Sequence, residues 1–197
     1  MMDDKQDKMM MGMGYGRFAA MIATSTIVMY GLMYLNTYAL SHVEYSQTRM
    51  WMAFVMGATM ALIMIGLMWG MYKNMRANIG IVVGSIIVFA LTLWLVRSQE
   101  TVSDVSYMRA MIPHHSIAIM TSERAHIKDP EVRRLADGII DAQVREIAQM
   151  KRYIARLEAN PTPDNAPDLP SYRDKQVPPP VPETDESTGI NTLQPIR

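Results

Sequence analysis

Within the first 96 residues lie three apolar stretches, Phe18 to Leu40, Trp51 to Met71 and Ile79 to Val96, and no other feature restricts the fold of this chain more. Such runs do not stay exposed to water. A helix of ~20 residues at ~1.5 Å per residue crosses a ~30 Å hydrocarbon layer while making all its backbone hydrogen bonds internally. The first run holds 23 positions with only Ser, Thr and Asn36 as polar insertions, the second is flanked by Trp51 and Trp69 at interfacial positions, and the third ends in Trp94 and Arg97. Residues 18–97 are therefore expected to form three transmembrane helices. A cleaved signal peptide is the rival for the first run, but that run exceeds the usual 7–15-residue signal core and no small-x-small cleavage site follows it.

Orientation follows from the short-loop cations, which are retained on the cytoplasmic side. Lys5, Lys8, Arg17, Lys73 and Arg76 fall on one face, against Arg49 and Arg97 on the other. The methionine-rich start, residues 1–17, is expected to be cytoplasmic and mobile, and residues 97–197 emerge on the opposite side. For a bacterial chain that side is the periplasm or the outer face of the plasma membrane.

Residues 97–197 carry 13 Lys/Arg and 15 Asp/Glu, which leaves no basic footprint for nucleic acid. No catalytic serine motif, phosphate loop or nucleotide fingerprint occurs. Thr101 is placed to cap a helix, with Asp104 three positions on, and helical periodicity runs to about Ile127. Val105, Met108, Ile112, His115, Ile119 and Ser122 share one face of it, and Pro113 interrupts the pattern. Lys128-Asp129-Pro130 is a break and restart, with Asp129 as N-cap and Pro130 in the first turn of a helix running to about Ala159. The segment 101–159 is thus an antiparallel helical hairpin. Beyond it, residues 160–197 hold nine of the eleven prolines and read as a disordered Pro-rich tail.

The chemistry concentrates in Tyr107-Met108-Arg109-Ala110-Met111-Ile112-Pro113-His114-His115. With four histidines and no cysteine in the chain, soft-metal chemistry must combine thioether sulfur with imidazole. If the hairpin turns near residue 128, facing residues have numbers summing to about 257. Met108 then meets Gln149 or Met150, Met111 meets Glu146, and His114 or His115 meets Gln143. Neighbouring histidines differ by ~100° around a helix, so only one of His114 and His115 faces the seam. The candidate metal site is Met108, Met111, His114, His115, Gln143, Glu146 and Met150, and its donor types select copper, Cu(I) above all. Against this, each methionine taken alone is more simply a core residue, and His115 alone a satisfied buried histidine. The four-residue repeat Met52, Met56, Met60, Met64 and Met68 resembles a sulfur ladder but reads first as membrane-helix packing.

The segments Met108-Arg-Ala-Met111-Ile-Pro-His-His115, Ile119-Met120, Lys128-Asp-Pro-Glu-Val132 and Ile140-Asp-Ala-Gln143 with Glu146-Ile-Ala-Gln-Met150 resemble the family catalogued as domain of unknown function 305. The resemblance covers residues 101–158. It implies a ferritin-like helical bundle, often secreted or membrane-tethered, with copper-binding relatives, and carries the methionine and histidine pattern onto Met108, Met111, His114, His115 and Met150. A lone hairpin buries little area, so a homo-oligomer completing a four-helix bundle is expected.

The leading expectation is an all-α, membrane-anchored, extracytoplasmic protein that sequesters or transfers copper, with membrane lipid around it and a copper donor or acceptor protein as partner. Two alternatives stand beside it. One is a ferritin-like di-iron oxidase, suggested by Glu123-Arg-Ala-His126 with Glu131 across the hairpin. The other is a structural membrane protein whose hairpin docks a partner and whose histidines pack.

Overall fold

The computed structural model describes residues 2–163 and 165–171, with side chains from Gly14 onward. It is all-helical, with α1 (Met2–Leu32), α2 (Gln47–Leu67), α3 (Met75–Ser98), α4 (Asp104–Arg124) and α5 (Pro130–Ala159), and no strand among the described residues. Short 3-10 turns at Leu40–His42 and Trp69–Met71 lie in the connections. The tail expected from residue 160 is neither helix nor strand through residue 171, and from 172 on it lies outside the described residues, as do the side chains of the Met9–Met13 cluster.

Two helices among the described residues, α2 and α3, are long and apolar enough to cross a membrane, not the three expected. Only 6% of the most apolar window of α3 is buried within the protein. A soluble protein's core helix would be covered instead; here Ile79, Val83, Ile86, Ile87, Leu91 and Trp94 are exposed together.

The first apolar run does not make one long span because its helix stops at Leu32, eight residues short of Leu40. The reason is local hydrogen bonding. Thr37 Oγ1 donates to the Tyr34 carbonyl at 2.9 Å, Arg49 takes the Met33 carbonyl, and the Ser46 amide donates to the Tyr34 hydroxyl at 3.0 Å. These partners hold residues 33–39 in turns, and the Arg49 cation suits the carbonyl end of a helix.

Even so, α1 packs against α2. At one end Tyr15 donates to Asn78 Oδ1 (2.7 Å) and Phe18 stacks edge-on against Tyr72; at the other Tyr34 meets Ser46 and Arg49. Phe18, Ala61 and Ile65 form the buried core of this layer, with Ile81 and Val82 of α3 packed around it. The buried Asn78 is satisfied, since its amide donates to the Tyr72 carbonyl at 2.8 Å.

The hairpin forms where expected, but its boundaries move. The N-cap of α4 is Ser103, in a reciprocal capping box with Ser106, rather than Thr101. Thr101 is engaged elsewhere, its hydroxyl accepting from Gln47 Nε2 at 3.0 Å. Pro113 is fully buried within a continuous helix. At the turn, Asp129 Oδ1 accepts from the amides of Glu131 (2.8 Å) and Val132 (3.0 Å), which makes it the N-cap of α5. The hairpin core is Met108, Ile112, Ile119, Ile147 and Ile154, with Val105, Ile140, Met150 and Leu157 packed against it.

The hairpin is fastened to the connection between α1 and α2. Ser116 Oγ, fully buried on α4, accepts from the Tyr38 amide at 2.8 Å and lies 2.9 Å from His42 Nδ1. Lys151 Nζ of α5 donates to the Ser41 carbonyl at 2.9 Å. Arg109 lies 4.0 Å from Glu44 and forms a close ion pair with Glu158.

Candidate metal site

The site begins with one helical turn. Met111 and His115 are four residues apart on α4 and share a face. His115 Nδ1 lies 2.9 Å from the Met111 carbonyl, a contact in which the ring nitrogen donates. That bond orients the ring and aims Nε2 across the seam, where it lies 2.8 Å from Glu146 Oε2 of α5 and, facing a carboxylate, donates as Nδ1 does; a metal at Nε2 would take the place of that proton. The His115 side chain is 13% exposed and that of Glu146 51%, so the pair lies at the rim of the hairpin, open to solvent on the carboxylate side.

The seven expected residues separate into two groups. His115 and Glu146 are in contact, Met111 is half-buried in the same turn as His115, and Gln143, three residues before Glu146 on α5, is half-buried. Met108 is buried in the apolar core with Met150 packed against that core, so both serve as packing side chains. His114 is exposed, its ring tilted 66° to that of His115 with centroids 6.2 Å apart.

The expected register is off by about one turn. His115 meets Glu146 rather than Gln143, because α4 ends at Arg124 and residues 125–129 carry the chain on without helical structure before α5 starts. The first residues of α5 consequently lie exposed, Val132 at 50% and Leu135 at 65%, and the first buried residue is Ala136.

Among the described residues, no three His, Cys, Asp or Glu side chains converge as a metal group. Glu123, His126 and Glu131 therefore do not assemble the di-iron set, and the Glu123 carboxylate beside the Tyr38 phenol pushes that phenol above its ordinary range. The pair in contact at this rim is one imidazole and one carboxylate, with Met111 one turn before His115 on the same helix.

The family profile of Domain of unknown function (DUF305) matches residues 97–193. A mimivirus protein, "Uncharacterized protein L153" of Acanthamoeba polyphaga mimivirus, is 36% identical over 102 residues, spanning 48% of this chain and 67% of that protein. The chain belongs to the DUF305 family. No solved structure matches it. The DUF305 region opens at Arg97, in the last turn of α3, and takes in the whole hairpin with His115 and Glu146. Residues 1–96 lie outside it.

The sequence reading missed the fastening residues Ser116, Tyr38, His42, Arg109 and Glu44 as a group. One signal was available: Ser116 lies four residues after Ile112 and three before Ile119, a polar side chain on an apolar line, which calls for a buried partner.

Proposed function

We propose that this DUF305 member is a membrane-anchored metal-binding protein that holds or passes on copper, as Cu(I), at the rim of its helical hairpin. The observation that carries the reading is His115, whose Nδ1 is tied to the Met111 carbonyl while Nε2 points at Glu146. A histidine ligand ordinarily donates its second nitrogen to a carbonyl in this way. Thioether and imidazole together favour a soft ion, and the single carboxylate is too few for a hard one. Three donors at a solvent-open rim leave room for a further ligand from a second copy of the chain or from a copper donor or acceptor protein. The cation distribution supports a cytoplasmic amino terminus with the hairpin outside, and the packing of α1 on α2 supports a third, shorter crossing.

Titration of the full-length protein in detergent with Cu(I), in competition with a chromophoric chelator, tests this. Affinity should fall by roughly 10- to 100-fold in His115→Ala and Met111→Ala, on the scale set by losing a ligand or its orienting partner, and stay unchanged in His114→Ala. A wild-type protein that competes no better than the His115→Ala/Met111→Ala double variant overturns it. The burial of Met108 and Met150 favours a second reading, in which His115–Glu146 is a packing staple. In that case His115→Ala lowers hairpin stability and leaves copper uptake as it was.

A further inference from the structure

The membrane layer contains an apolar groove of about 960 Å³, at the upper end of the volumes that hold small ligands. Its floor is α2, where Ala53, Gly57, Ala58 and Ala61 present almost no side chain; its walls are α1 and α3. The groove is closed at one end. At one end Tyr15 of α1 is hydrogen-bonded to Asn78 of α3, and Ile81 and Val82 close in around Phe18. Toward the other end Tyr30 of α1 and Val88 of α3 form its facing walls.

A helix, a cylinder ~10 Å across, needs a groove of even width. A flexible hydrocarbon chain fits an apolar groove shut at one end. From Ala77 to Val88 the α3 wall rises ~16 Å, about half the ~30 Å hydrocarbon layer and so the depth of one leaflet.

The open end carries a charge. Tyr30, which lines the groove, hydrogen-bonds Tyr34 at 3.2 Å, and the Arg49 guanidinium lies over the Tyr34 ring, 4.5 Å from its centre. Arg49 gives one hydrogen bond to the Met33 carbonyl and has no carboxylate within 4.0 Å among the described residues, leaving donors of its fork for an anion. A planar cation on an aromatic face at the level of the aromatic belt suits a phosphate.

We infer that the groove between α1 and α3 binds one anionic phospholipid, an acyl chain lying along Ala23, Ile27 and Gly84 and its phosphate at Arg49. This rests on the reading of α2 and α3 as membrane helices.

Native mass spectrometry of the full chain, extracted in mild detergent and exchanged against mixed phosphatidylglycerol and phosphatidylcholine, is the test. The wild type should keep one phosphatidylglycerol per chain. An added Cβ at Gly80 or Gly84 meets nothing within 4 Å, so Gly80→Leu/Gly84→Leu fits the fold and fills the groove. It should cut lipid retention by about tenfold or more, as expected for displacing several buried methylenes. Arg49→Gln should lower the preference for phosphatidylglycerol roughly fivefold while keeping the acyl chain bound. Equal lipid retention by wild type and the double-leucine variant overturns the site. So does a lipid-free wild-type dimer that the leucine substitutions split, which would make the groove a helix–helix contact. Release of the wild type from membranes by alkaline carbonate would overturn the membrane reading itself and the site with it.

Discussion

Replacing Ser116 by alanine should loosen the hairpin from the α1–α2 connection without unfolding either. Ser116 Oγ accepts from the Tyr38 amide at 2.8 Å and shares a hydrogen bond with His42 Nδ1 at 2.9 Å, and alanine removes both bonds. A buried polar group left without a partner costs ~1–3 kcal/mol, and two are affected here, but Tyr38 and His42 are not fully buried and water recovers part of the loss. A net cost of ~1–3 kcal/mol corresponds to a rise of roughly 5- to 150-fold in the population of the undocked hairpin. The Lys151–Ser41 and Arg109–Glu44 contacts remain, so docking weakens rather than disappears. Hydrogen exchange of the full chain in lipid nanodiscs reads this directly. Peptides covering residues 33–46 should exchange at least fivefold faster, while those covering Ile147 and Ile154 keep their protection. Unchanged protection at Tyr38 would refute the fastening role of Ser116.

His42 predicts a pH dependence at the same joint. Burial, with the nearby Lys151 charge adding to it, pushes its pKa below the ordinary 6.5, so the folded state disfavours the imidazolium. The stabilisation is full above pH 6.5 and is lost as pH falls below it, so exchange of residues 33–46, corrected for its intrinsic rate, should quicken between pH 7 and 5 and become flat in His42→Asn. A Cβ at Gly57 would clash with Thr26 Oγ1 and lie 3.3 Å from its Cγ2, so Gly57→Val should cost about 1–3 kcal/mol by overpacking. Adding Thr26→Ala should restore most of that loss, read as thermal stability in detergent. Ile112 is fully buried in the hairpin core, and Ile112→Ala should destabilise the hairpin by about 2–5 kcal/mol, measured by denaturant melting followed by circular dichroism.

The elements of the fold were legible because their signals are local. Hydropathy marks α2 and α3, and Asp129-Pro130 marks the start of α5 to the residue. The end of α1 was not legible, since Met33, Leu35, Ala39 and Leu40 carry the apolar run past it and the chain is turned by Arg49, Ser46 and Thr37 through contacts that no window of composition contains. The candidate site was half legible. Spacing alone puts His115 on the seam with Glu146 nearby, but whether a methionine faces a metal or the core depends on rotation about the helix by tens of degrees. That rotation is set by packing, and it assigns Met108 and Met150 to the core.

One feature at the end of α3 bears on how the hairpin works. The chain leaves that helix through Gln99 in the left-handed conformation (φ 56°), a non-glycine residue held there while its side chain bonds the Val96 carbonyl at 2.6 Å. No glycine occurs between Gly84 and Gly138 to act as a swivel. The hairpin is therefore joined to α3 by a short link, residues 99–103, that holds no glycine. On the proposed reading, an ion held between His115 and Glu146 would sit within a short, stiff link of the end of α3, and a molecule that delivers or collects it would come to that post.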